Sequence, residues 1–411
     1  MTKRILLQFV AVLVATLVVA NVSHAAFYHI EIADLDPGQP ITPPVAVVHG
    51  NMYRLFEIGT SATAGLEALA EDGQTDLLVG EALSNPDVRH VKVGGDGPTF
   101  STFKFFIQAE PGDLFSVASM FAKTNDTFIG VSAVMLPGGD TPLVIDAQAH
   151  DAGTEQNTGL VADIPAFGNH EVGMEEEGTV QVINQFVLQD APDAAGPVEF
   201  SWPPAARVTI TPMPDAIVYD IILTGLSEGQ PLTPPVITIH DPGRTVFTLG
   251  QMASAGLELL AEEGQTSPLI GELTPLAGVW TAQVGGEAPG FEHMASVIGS
   301  PGQLVTITSM FARTNDVFTG VNAVQLPAPG SSETIETVAW DAGTEQNTGL
   351  MAHVPLYGGV GGPNQGGVVS EINSYSILDD PGGRLDYTWP PAARVVIRTQ
   401  ASPVEHWSLY R

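Results

Sequence analysis

The sequence predicts an all-β fold: two tandem antiparallel β-sandwich domains, each with one short helix. Three observations carry this. Matched blocks recur in the same order roughly 190 residues apart, and long-period self-similarity signals a duplicated unit. Short apolar runs of strand length alternate with turn-forming residues, as in sandwiches and barrels. Gly (44) and Pro (32) are frequent and show no collagen-like period, which suits loops between many strands. With 411 residues, 44% of them hydrophobic, the chain has the length for two or three domains with sizeable cores.

Residues 1–25 read as a secretory signal peptide. Lys3 and Arg4 give a basic start, Ile5–Ala20 an apolar run, and Ser23-His24-Ala25 small residues at the positions a signal peptidase reads. Cleavage is expected after Ala25, and the product is expected to be secreted or periplasmic. The apolar run is short for a membrane anchor, and no later stretch is long and apolar enough to span a bilayer. There are no cysteines, so stability must come from packing, with bound ions the one further candidate source, rather than from disulfides.

The matched blocks divide the rest into units at 26–213 and 214–411. "GQPITPPV" (Gly38–Val45) answers "GQPLTPPV" (Gly229–Val236), and "AGLEALAEDGQT" (Ala64–Thr75) answers "AGLELLAEEGQT" (Ala255–Thr266). "SMFAKTNDTFIGVSAVMLP" (Ser119–Pro137) answers "SMFARTNDVFTGVNAVQLP" (Ser309–Pro327). "DAGTEQNTGL" stands unchanged at Asp151–Leu160 and Asp341–Leu350, and "WPPAARV" at Trp202–Val208 and Trp389–Val395. "TPMPD" at the seam reads as a short linker.

Within each unit the elements follow in order. "FYHIEIADL" and "IVYDIILTGL" open as strands; "VAVVHG" and "VITIHD" follow a Pro-Pro as short strands. "SATAGLEALAEDG" predicts the one helix, with Leu66 and Leu69 at i, i+3 and a Gly stop at Gly73. "DLFSVASMFA", "TFIGVSAVML" and "WPPAARVTI", with their counterparts, supply further strands.

The formal charge is −32, and loss of a segment with two basic and no acidic residues takes it to −34. Nucleic-acid binding, which needs clustered Lys and Arg, is excluded as an expectation; acidity of this degree favours cations. There is no H-E-x-x-H, G-x-S-x-G or P-loop. His49 and His240, at strand ends, read as hydrogen-bonded structural histidines. Trp202 and Trp389 read as packing anchors rather than sugar platforms. "MEEEG" (Met174–Gly178), present in one unit only, reads as solvated surface.

Three acids recur in the turns: Asp126 with Asp316 in "TND", and Asp151–Glu155 with Asp341–Glu345 in "DAGTE". Spacing leaves two readings. Asx residues in such sequences bond nearby backbone amides and shape turns. Alternatively, acids at i and i+4 of a Gly-containing loop, with a third from a neighbouring loop, offer the oxygens a hard cation takes.

The ordered set formed by the Pro-Val strand ending in His49, the "AGLEALAEDGQT" helix, "SM…ND-x-F-x-G" and "DAGTE" resembles the spondin N-terminal domain family (F-spondin and mindin-like). The resemblance covers most of each unit. It implies a C2-like β-sandwich in which loop carboxylates hold calcium, one Ca²⁺ per domain. The matching positions are Asp126, Asp151 and Glu155, and Asp316, Asp341 and Glu345. The chain departs from the animal proteins in lacking cysteines and thrombospondin-type repeats, and in carrying Thr127 or Val317 after the motif aspartate. The function expected is a secreted, non-enzymatic, calcium-binding adhesion module whose partner is an extracellular protein or glycan. The alternatives are a metal-free structural extracellular protein and a hydrolase using paired carboxylates.

Overall fold

The computed structural model describes residues 26–36, 38–95, 101–110, 112–168, 174–192, 194 and 196–400. The signal peptide expected at 1–25, with its cut after Ala25, lies outside the described residues.

The first half contains β1 (Ala26–Asp34), β2 (Val45–His49), α1 (Ala64–Asp72), α2 (Asp76–Ser84), β3 (Val88–Val93), β4 (Thr102–Ala109), β5 (Leu114–Met120), β6 (Thr127–Met135), β7 (Leu143–Asp151), β8 (Gln181–Ile183), β9 (Gln185–Leu188), β10 (Val198–Ser201) and β11 (Ala206–Met213). The second half gives the same kinds of element in the same order. They are β12 (Ile217–Gly225), β13 (Val236–His240), α3 (Ala255–Glu263), α4 (Ser267–Leu273), β14 (Val279–Val284), β15 (Glu292–Gly299), β16 (Leu304–Met310), β17 (Val317–Gln325), β18 (Ser332–Glu336), β19 (Ala339–Asp341), β20 (Ser370–Ile372), β21 (Ser374–Ile377), β22 (Leu385–Thr388) and β23 (Ala393–Thr399).

The fold is all-β and sandwich-like, with antiparallel pairing throughout. In the first half the strands run β3-β2-β5-β6-β7-β11-β1-β4. Strand β7 belongs to two layers: its end pairs with β6 (Asp151 opposite Thr127), and its start pairs with β11 (Ala147 opposite Ala206). In the second half that strand is broken into β18, on β23, and β19, on β17. Thr337 sits buried at the break, its hydroxyl 2.7 Å from that of Thr319.

Strand periodicity fills the space between layers. Tyr28, Ile30 and Ile32 of β1 face inward at alternate positions. They meet Val48, Phe115, Val117, Ile129 and Val208 in one cluster. The outer face of the β2–β5–β6 layer is covered by the helices, where Leu66, Leu69, Leu78 and Ala82 pack on Val45, Val47 and Phe128. Trp202 is 1% exposed and stacks on Phe121 at 4.7 Å, and Trp389 stacks on Phe311 at 5.0 Å, so both are core residues.

The helix expectation needs correcting: each half has two short helices. Helix α1 starts where the Thr63 side chain accepts the Leu66 amide, and ends at Gly73 with φ +67°. The chain then turns directly into α2, whose Leu78 and Ala82, one turn apart, are buried. Glu81 of α2 latches the pair, accepting from the Gly65 amide (2.8 Å) and the Thr63 hydroxyl (2.6 Å). A Cβ on Gly65 would lie 2.6 Å from Leu78 Cα, so the close crossing requires glycine. Gly80 inside α2 weakens the helical signal in sequence.

The halves touch through β1 and β4 on one side and the α4–β14 corner on the other. Lys104 Nζ, on a side chain 3% exposed, donates to the carbonyls of Leu276 (2.9 Å) and Val279 (3.0 Å) and lies 3.5 Å from Glu31. His29 Nε2 lies 2.7 Å from the Trp280 carbonyl oxygen. Among the described residues no helix is long and apolar enough to cross a membrane.

Candidate functional site

Each half carries one acidic loop cluster, built by two adjacent turns. The first turn follows β5. The Thr124 hydroxyl donates to Phe121 O (2.8 Å) and accepts the Thr127 amide (3.3 Å), leaving Asp126 at its buried apex. The second is the DAGTE loop after β7. β6–β7 pairing sets Asp151 opposite Thr127, beside Asp126 in sequence, so strand register brings the two loops together.

Asp126 Oδ2 accepts from the amides of Thr154 (2.9 Å) and Glu155 (3.1 Å). Asp151 Oδ1 accepts from Gly153 N (2.7 Å), and Asp151 Oδ2 from Asn157 Nδ2. The second half reproduces this. Asp316 Oδ2 accepts from Thr344 N (3.0 Å) and Glu345 N (2.9 Å), and Asp341 accepts from Gly343 N (2.7 Å) and Asn347 Nδ2.

All six predicted acids thus fall into two clusters of three, joined through loop backbone. Among the described residues, though, no three acidic or histidine side chains converge into a group able to hold a metal by themselves. The turn role is directly visible: Asp126 and Asp151 organise the loop by binding its amides.

That role uses only part of the acidity. Asp126 Oδ1, Asp316 Oδ1 and Glu345 Oε2 are buried without a hydrogen-bond partner. Burial and the nearby charge of Asp151 push Asp126 up to about 6. Burial and Asp341 push Asp316 up to about 7. Asp151 and Asp341 are raised as well, mainly by desolvation. Carboxylates this poorly solvated favour either a proton or a cation.

Sequence reasoning missed a fourth acid in each half. Glu71 of α1 reaches Thr154 and feels Asp126, and Glu262 of α3 reaches Thr344 and feels Glu345. Burial raises both, and Glu262 Oε1 is also an orphan. Both sit inside the repeated helix block, so repetition marked the block without separating these positions from ordinary helix surface.

The rest of the decapeptide is structural. Asn157 holds Asp151, and Thr158 donates to Asp163 Oδ2 (2.6 Å). The Gly159 amide meets Asn125 Oδ1 at 3.3 Å. Gly159 has φ +65°, and a Cβ there would lie 2.0 Å from Val187 O.

The Met174–Gly178 acid run exposes its side chains, yet its backbone pairs with the loop: Gln156 N donates to Met174 O (2.8 Å) and Glu176 N to Thr154 O (2.7 Å). Pro363–Gly367 takes this place in the second half, with Gln346 N to Pro363 O at 2.9 Å. His49 Nε2 lies 2.8 Å from Ser116 Oγ, and His240 Nε2 2.9 Å from Thr306 Oγ1, away from the acids. An open groove of about 570 Å³ is lined by Arg54, Phe56, Ser132, Asp146, Gln148 and His150 among others.

No curated protein matches the chain. The Spondin_N family model matches residues 40–169, a span that begins just before β2, extends past the first DAGTE loop and includes Asp126, Asp151 and Glu155. This segment of the chain is therefore similar to the spondin N-terminal domain family, and its first acidic loop cluster lies within the matched span.

Proposed function

We propose that the chain is an exported, non-enzymatic, calcium-binding adhesion module made of two spondin-like domains, 26–213 and 214–411. In this reading Asp126, Asp151 and Glu155 serve one Ca²⁺, and Asp316, Asp341 and Glu345 a second. The partner class is an extracellular protein or glycan. The observation that carries the reading is the pair of buried, unpartnered oxygens, Asp126 Oδ1 and Asp316 Oδ1, at corresponding places in the two halves.

The donor set fits a hard cation, being oxygen only. Among the described residues no three acidic side chains form a group able to hold a metal by themselves, so carbonyl and water oxygens must complete the shell. A bound Ca²⁺ would supply positive charge to desolvated acids that otherwise repel.

A ligand that binds only the folded state raises its stability. The melting temperature should rise with Ca²⁺ and fall with EDTA, and Asp151→Asn combined with Asp341→Asn should erase the difference. Identical wild-type melting curves in both conditions would sink the calcium reading. They would favour the second reading, a metal-free structural module, for which the amide bonds to Asp126 Oδ2 and Asp316 Oδ2 already speak.

A further inference from the structure

Strands β6 and β7 stay together only briefly. Thr127–Gly130 pair with Gln148–Asp151, after which β6 continues along β5 and β7 crosses to β11. The open groove of about 570 Å³ is lined by both strands where they part, by Val131 and Ser132 of β6 and by Asp146 and Ala147 of β7. The segment ahead of α1 adds Arg54, Phe56, Glu57 and Ile58. It is tied to β6 where the Ser132 hydroxyl donates to the Phe56 carbonyl at 3.0 Å. Gly130 leaves room for the ring, since a Cβ there would lie 2.7 Å from Phe56 Cε1.

Phe56, Phe128 and His150 pack as a trio, Phe56 edge-on to Phe128 at 5.1 Å and His150 stacked on Phe128 at 5.2 Å. The second half builds the same trio from Phe247, Phe318 and Trp340. Packing is therefore met there by an apolar indole body, while the first half places an imidazole in the groove wall. His150 is 4% exposed, and its Nδ1 is buried without a hydrogen-bond partner, although the ring feels the Gln148 backbone. Burial holds the ring down to about 4, so at neutral pH it carries one donor and one acceptor nitrogen. The exposed side chains of Glu57 and Gln148 make no hydrogen bond or ion pair among the described residues. Their counterparts are Thr248 and Val338. This set of carboxylate, amide and imidazole belongs to the first half alone.

We propose that the groove between β6 and β7 binds a neutral carbohydrate segment, with Glu57, Gln148 and His150 taking its hydroxyls. The inference rests on the adhesion reading above, from whose two partner classes it selects the glycan, and it does not depend on calcium. The volume is that of a small-molecule site, with uncommitted polar groups set among apolar ones. An anion would face Glu57 and Asp146, while the Arg54 guanidinium is already spent on the carbonyls of Asn51 (2.9 Å) and Tyr53 (2.7 Å). A cation would compete with Arg207, which holds Asp146 at 2.9 Å. An added peptide strand needs a regular edge, and β6 is irregular here, with a register shift and Ala133 at φ +56°. A hydroxyl both donates and accepts, so it suits a carboxylate, an amide and a neutral imidazole alike. Phe56 and Ile58 offer apolar surface to the C–H faces of a sugar ring.

The test is NMR of the histidine-labelled full chain, with His150 assigned by its loss in His150→Trp. Maltotriose, cellotriose and tri-N-acetylchitotriose are titrated to about 10 mM, enough to see millimolar binding, with trigalacturonate as the anionic control. At least one neutral sugar should shift His150. His150→Trp, which installs the residue of the second half, should abolish binding of that sugar. Gln148→Val and Glu57→Thr change exposed side chains to those of the second half, and each should weaken binding roughly three- to ten-fold, the worth of one hydrogen bond. An unmoved His150 with all three neutral sugars overturns the proposal. So does affinity unchanged in both Gln148→Val and Glu57→Thr, or a preference for trigalacturonate. Repeating the titration in EDTA separates the failures. Calcium-dependent melting without a His150 shift removes this inference alone, and a His150 shift without calcium-dependent melting removes only the calcium reading.

Discussion

The Asp126 carboxylate accepts the Glu155 amide at 3.1 Å across two loops, and Asp316 meets the Glu345 amide at 2.9 Å in the same way. One oxygen of each aspartate is thus committed to fixing the loop that carries the other acids, and the second oxygen is left unpaired. Asp126→Ala should cost about 1–3 kcal/mol, because two buried amides lose their acceptor. Asp126→Asn should cost less in EDTA, since it keeps an oxygen and removes a desolvated charge. Urea unfolding of the two variants distinguishes these outcomes.

The acids also set a pH dependence. Asp126 is raised to about 6 and Asp316 to about 7 from the ordinary 3.8 of an aspartate. Between these limits the folded state binds more protons than the unfolded one, so each group's contribution falls as pH rises. Burial pushes His29 and His150 down to about 4, which gives the opposite slope below about 6.5. The informative quantity is therefore a difference. In EDTA, Asp126→Asn with Asp316→Asn should gain stability relative to wild type as pH rises from 4 to 8. Saturating calcium should reverse that gain. A difference that stays flat across this range refutes the electrostatic account.

Gly159 and Gly349 should not tolerate a side chain. Both have positive φ, and a Cβ would fall 2.0 Å from Val187 O and 2.4 Å from Ser376 O. Alanine at either site should destabilise by more than about 1 kcal/mol, while Gly168→Ala, with open space around it despite φ +79°, should cost less. Thermal melts of the three variants rank them.

Lys104 offers a test of the junction. Lys104→Met leaves the Leu276 and Val279 carbonyls without their ammonium donor and should cost about 1–3 kcal/mol. Calorimetry should then show the two halves beginning to unfold separately. A single transition at the wild-type temperature would mean that the contact does not couple them.

How much of this was legible in sequence depended on the kind of interaction. Strands such as Ala26–Asp34 announced themselves because alternation is local. Helix α2 did not, because Gly80 dilutes its signal and its stabilising latch, Glu81 to Gly65, spans 16 residues. The six loop acids were visible as a repeated pattern, and strand register did assemble them. Their engagement by backbone amides was one of two readings that spacing left open, since spacing cannot tell an amide from a cation as the partner of a carboxylate. Glu71 was hidden for a further reason. It reaches its cluster from a helix far from both loops in sequence.

The joint between the halves has a directional character. It sets the β1–β4 face of one half against the α4–β14 corner of the other, a head-to-tail contact of the kind that propagates if both ends carry both pieces. They do not. By strand register the counterparts of Lys104 and His29 are Met294 and Asp220, and the latter is tied to Arg398 at 3.1 Å. The counterpart of Trp280 is Arg89, paired with Asp113. The outer faces therefore lack the residues that make the joint, so this contact joins the two halves without being repeated at either end.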